Sequence, residues 1–157
     1  MKNKKLLLFI IIVIPVLLLL SGCSNAGISL KLSPNPIEFS QNQTSRDLTL
    51  EVKTEGLGSI SLDNLIIEVI DENDEIIFKE QKEIDVSAPF IVGGFSDTVD
   101  YTLDLEKIFD PADYSYDSDQ SFSLFYSEFL AGKTHTLRMT VTGSNNTSFT
   151  AQIKYLD

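Results

Sequence analysis

The chain has 157 residues, 23 acidic against 12 basic, and a formal charge of −11. One cysteine, one histidine and no tryptophan exclude an intramolecular disulfide and any zinc-type site assembled from several His or Cys ligands. So acidic a chain also repels phosphate backbones, so nucleic acid is not expected among its partners.

Lys2, Lys4 and Lys5 open the chain, and an unbroken apolar run follows from Leu6 to Leu20. That run is shorter than the ~20 residues a spanning helix needs, and Pro15 interrupts it. Residues 1–22 therefore read as a secretion signal. They end in Leu20-Ser21-Gly22-Cys23, which resembles the lipobox of bacterial lipoprotein precursors, in which small residues precede an obligatory cysteine. The resemblance covers residues 1–23. It implies that the Cys23 thiol receives a diacylglycerol, that cleavage falls just before it, and that lipid holds the mature chain to the extracytoplasmic face of a membrane. In a cell with two membranes, Ser24 lacks the aspartate that the resemblance associates with inner-membrane retention, which favours the outer membrane. Cysteine usage agrees, since the sole thiol stands where the lipid belongs, and two acyl chains suffice for a stable anchor. Losing the leader with its three lysines takes the formal charge from −11 to −14.

Residues 23–27 then form a short tether of at most about 18 Å, and residues 28–157 form one domain. Its first run, Ile28 to Leu32, is strand-like. Pro34 and Pro36 bar a regular ladder after it and suit an edge strand that switches sheets. Leu48, Leu50 and Val52 alternate with polar residues, as do Val99, Tyr101, Leu103 and Leu105. The pattern recurs at Leu137, Met139 and Val141, and at Phe149, Ala151, Ile153 and Tyr155. A period of two marks strands with one apolar and one wet face. Residues 71–75 separate Leu65–Ile70 from Ile76–Phe78 as a hairpin turn, and Gly143-Ser144-Asn145-Asn146 joins the last two strands. Gly93-Gly94 is expected to end the run Pro89–Val92 before the Val99 strand. Only Leu105–Phe109, stopped before Pro111, suits a helical turn. About seven to nine short strands in one domain predict an all-β, antiparallel two-sheet sandwich. The layout resembles an immunoglobulin-like or fibronectin-III-like domain in architecture, without the Cys–Trp–Cys core of true immunoglobulins. A small barrel is the alternative.

Chemistry is sparse. The one histidine, His135, shares a face with Leu137 and Met139 at a strand end, where a core-rim role is the ordinary one, and no Gly-x-Ser-x-Gly elbow or nucleotide loop exists. Asp110, Asp113, Asp117 and Asp119 gather four carboxylates in ten residues, a candidate calcium or ligand loop. Counting from Asp117 places Glu128 twelfth, as in an EF-hand, but Phe122 stands where that loop requires glycine. Seven of the fifteen aromatics lie between Phe109 and Phe129. Either they plug the end of the sandwich, or Tyr114 and Tyr116 display a patch for a sugar or a protein.

These readings converge on a lipid-anchored, non-enzymatic envelope module whose partners are the membrane, through its lipid, and an envelope protein or polymer. No cofactor is expected, calcium excepted. The alternatives are a hydrolase acting on envelope polymers through carboxylates, or a calcium-dependent adhesion module.

Overall fold

Alternating apolar and polar side chains build the strands here, and glycines let two of them run on through sharp bends. The computed structural model describes residues 27–110, 114 and 122–157. Among these residues the strands are β1 (Gly27–Ser33), β2 (Ile37–Phe39), β3 (Ser45–Ile70), β4 (Ile76–Asp104), β5 (Thr134–Gly143) and β6 (Thr147–Tyr155). Two helical turns, α1 (Leu105–Ile108) and α2 (Phe122–Phe125), lie in the crossover from β4 to β5, and a π-helical turn, Tyr126–Leu130, follows α2.

β3 and β4 form one long antiparallel hairpin, from Ser45 opposite Asp104 to Ile70 opposite Ile76, doubled over on itself. Its open half pairs with β1 and makes a three-stranded sheet. Its tip half pairs with β5, which pairs with β6, and β2 adds to the edge. The two sheets pack face to face as a sandwich. β4 itself shows the doubling: Lys82 Nζ donates to the carbonyl of Asp100 at 3.0 Å, and Tyr101 Oη donates to Glu80 at 2.7 Å.

At the bend Gly56, Gly58 and Gly93 have φ of 116°, 151° and 96°, a region that favours glycine because it lacks Cβ. Register shifts at Gly58/Ile60 and Leu62/Asn64 keep apolar side chains inward on both limbs. On β3 the buried positions run Leu48, Leu50, Val52, Ile60, Leu62 and then Leu65, Ile67, Val69. The inserted residue flips the parity where the strand changes sheet.

Several expectations change. Gly93-Gly94 does not end a strand; the ladder continues through it. The expected strands around Leu50 and Leu65–Ile70 are one strand, and β1 takes in Gly27. The sandwich is not wholly antiparallel, because β2 lies parallel to β6. That pairing follows from the prolines: the edge strand leaves the first sheet after Ser33 and joins the second at Ile37, as the sequence predicts. α1 is the helical turn expected at Leu105, whereas α2 and the π-helical turn were not foreseen. Among the described residues no helix is long and apolar enough to cross a membrane; the Leu6–Leu20 run lies outside them.

Candidate functional site

The crossover closes one end of the sandwich. Asp104 caps α1 by accepting from the Glu106 N–H at 3.0 Å, and Leu105, Ile108 and Phe109 drop into the core. The Phe109 ring lies 5.8 Å from those of Phe125 and His135 and 5.2 Å from that of Tyr114. Tyr126 is buried, its hydroxyl 2.9 Å from the carbonyls of both Phe39 and Leu156, so it pins the crossover to β2 and to the end of β6. Phe109, Phe125 and Tyr126 are thus plugs.

Not every apolar side chain here is covered. Leu124 is 53% exposed, Phe129 46% and Leu156 43%. Phe129 stacks on Phe125 with ring centroids 5.2 Å apart, which holds it at the surface of the plug. Carboxylates surround this end. The hairpin tip carries Asp71, Glu72, Asp74 and Glu75, the π-helical turn carries Glu128, and an Asp157 oxygen lies close to Gly132. Asp71 ties the tip together by accepting from the Asn73 and Glu75 N–H groups at 2.8 Å. The Glu75 amide, with those of Asn73, holds its carboxyl below the ordinary carboxylate range.

Of the expected site residues, Asp110 and Tyr114 are brought together: the Asp110 carbonyl accepts from the Tyr114 N–H at 3.1 Å. Asp110 is exposed, and Tyr114 packs edge-on against Phe109 and Phe125. Asp113, Tyr116, Asp117, Asp119 and Cys23 lie outside the described residues. Among the described residues no group of three or more His, Cys, Asp or Glu could hold a metal ion.

His135 sits at the rim of the plug, Nδ1 2.8 Å from Tyr155 Oη. Burial pushes the imidazole below its ordinary value, partly offset by Asp71, and burial also raises the Tyr155 phenol, which keeps its proton. A neutral ring accepting that proton at Nδ1 satisfies both groups.

Two polar clusters escaped the sequence reading. On the outer face of the second sheet, Glu68 is only 6% exposed and stands between cross-strand neighbours Lys79 and Arg138. Lys79 Nζ lies 2.9 Å from Oε1, and Arg138 Nη2 2.7 Å from Oε2. Lys79, then Arg138, hold this carboxyl below its ordinary value against the cost of burial. Finding it needed the strand register. At the side of the sandwich, a shallow cleft of about 420 Å³ runs past Lys82, Tyr101 and the cross-strand pairs Asp47–Thr102 and Thr49–Asp100. Each of those aspartates accepts from its threonine, at 2.7 and 2.8 Å.

No family model matches the chain, and no curated protein does. Among solved structures, a β-glucosidase from Listeria innocua is 15% identical with a TM-score of 0.43, over 85% of this chain and 17% of that one. A β-glucuronidase from Parabacteroides merdae is 14% identical with a TM-score of 0.34, over 84% of this chain and 13% of that one. A Bordetella pertussis protein provisionally named ApaA is 14% identical with a TM-score of 0.37, over 83% of this chain and 89% of its own. The chain thus spans about a sixth of the glucosidase. Likeness at this level transfers no activity.

Proposed function

We propose that this chain is a lipid-anchored, extracytoplasmic binding module of a cell envelope, tethered through Cys23 and presenting its crossover end outward. The observation that carries the reading is where the chain enters the sandwich. β1 begins at Gly27 opposite Glu55, at the folded end of the long hairpin, whereas the crossover docks beyond Ser45 at the other end, where Leu105 N–H donates to the Thr44 carbonyl. Ten residue steps run from Ser45 to Glu55, about 33 Å at ~3.3 Å each. A lipid on Cys23, a few residues before Gly27, belongs to the folded end and leaves Leu124 and Phe129 at the far one.

None of the four carboxylates with a resolved shift is poised as a general acid. Glu51, Glu68, Asp71 and Glu80 are all made more acidic, each first by a lysine or an amide N–H. A general acid needs the opposite shift. No observation among the described residues favours the hydrolase or calcium readings in the same way.

Intact-mass analysis of the protein taken from membranes tests the anchor. The expected mass is that of residues 23–157 plus a diacylglyceryl group on Cys23. A free thiol at Cys23, or a retained leader, contradicts the reading.

A further inference from the structure

The geometry points to the partner's chemistry: a protein segment bearing Lys or Arg beside apolar side chains, docking on Leu124 and Phe129 at the crossover end. This rests on the binding role proposed above and adds the kind of surface that is bound. Leu124 and Phe129 offer apolar area fixed by the stack of Phe129 on buried Phe125, and rigid rings bind with little loss of conformational freedom. Leu156 extends the same end, since its carbonyl accepts from Tyr126. The same end carries exposed carboxylates: Glu128, next to Phe129 in sequence, Asp157 near Gly132, and Glu72, Asp74 and Glu75 on the hairpin tip. The tip belongs to the same end because Ile70, at its base, pairs with Thr136, next to His135, which packs against Phe109. Basic residues stand at this end too: Lys133, Lys107, which pairs with Glu80, and Lys154 opposite Thr134.

An apolar centre at a mostly acidic end selects a partner of the opposite sign, through attraction of cations and repulsion of anions. A second copy of this chain would set carboxylate against carboxylate. Anionic lipid headgroups are repelled in the same way, and the anchor holds the membrane at the other end.

The test places a photo-crosslinking phenylalanine analogue at position 129 of the full-length protein in living cells, with position 145, in the turn at the folded end, as control. The expected result is a crosslink at 129 and none at 145, whose partner peptide carries Lys or Arg next to apolar residues. Combining Glu72→Lys with Glu128→Lys, both on exposed residues, should lower its yield about tenfold, the effect of roughly 1.4 kcal/mol of lost charge attraction. A crosslink to a second copy, to lipid or to an acidic peptide overturns the proposal. So does a yield indifferent to charge reversal, or no crosslink at 129 from a chain whose Cys23 is acylated. An unacylated chain would instead sink the anchored reading, so the two failures are distinguishable.

Discussion

Two side chains, Glu68 and His135, tie the stability of the fold to pH. Glu68 faces the wet side of its sheet yet is buried by the cations on either strand. Its carboxylate contributes above its ordinary value of 4.5, and the contribution is lost as pH falls through the lower folded value. Glu68→Gln should cost about 2 kcal/mol in urea unfolding, because hydrogen bonds to charged groups are worth roughly 1.5–3 kcal/mol; an unchanged midpoint would show that the Lys79–Glu68–Arg138 cluster does not stabilise the fold. His135 shifts the same way for a different reason: burial disfavours its charged form. Its folded value lies below the ordinary 6.5, so the fold favours the neutral ring. That stability is complete above about pH 6.5 and is lost as pH falls through the folded value, when Nδ1 becomes a donor and the Tyr155 proton must turn away. Asp71 and Glu72 oppose the shift and Lys133 reinforces it. Between pH 7 and 5 the melting temperature of the wild type should therefore fall relative to that of His135→Phe. Parallel curves would show that the ring is not held neutral.

At the scale of elements, the long hairpin explains what could be read in advance. The faces of Leu48–Val52, Val99–Leu103, Leu137–Val141 and Ala151–Tyr155 were legible because alternation is local, and so were the turn at residues 71–75 and the proline switch between β1 and β2. The bend was not. Gly93-Gly94 looks like punctuation, but long-range pairing with Glu55 and Gly56 carries the ladder across it. α2 and the π-helical turn had a signal that was missed: Phe122, Phe125, Tyr126, Phe129 and Leu130 keep the i, i+3, i+4, i+7, i+8 spacing of a helix face, over only two turns. Of the expected loop residues only Asp110 and Tyr114 are described, joined by one local backbone hydrogen bond, whereas the display of Leu124 and Phe129 depends on how the plug packs. The bend also depends on Gly143, whose position leaves no room for a Cβ. One built there would clash with the Ser61 carbonyl oxygen and lie 2.7 Å from the Leu62 Cα. Ser144 N–H meanwhile donates to that same carbonyl at 2.8 Å. Gly143→Ala should destabilise by about 1–3 kcal/mol, the range for overpacking a filled site. Gly27→Ala, with open space around it, should unfold within about 0.5 kcal/mol of wild type. Equal effects of the two would count against the tight packing of turn on bend.

For the whole molecule, the sandwich has two unlike ends. Glycine bends, the β5–β6 turn and the entry of β1 make up one. The aromatic plug, its exposed apolar side chains and a concentration of carboxylates make up the other. If lipid on Cys23 ties down the first, a net charge near −14 after loss of the leader lysines keeps the rest off an anionic surface. Depth-dependent quenching reads this polarity most directly. The protein, taken in its Cys23-acylated form and carrying a fluorophore on Asn145→Cys or on Glu72→Cys, is reconstituted in vesicles containing headgroup-quencher lipids. The label at position 145 should be strongly quenched and the label at position 72 scarcely at all. Equal quenching, or the reverse order, would contradict an anchored domain that turns its crossover end outward.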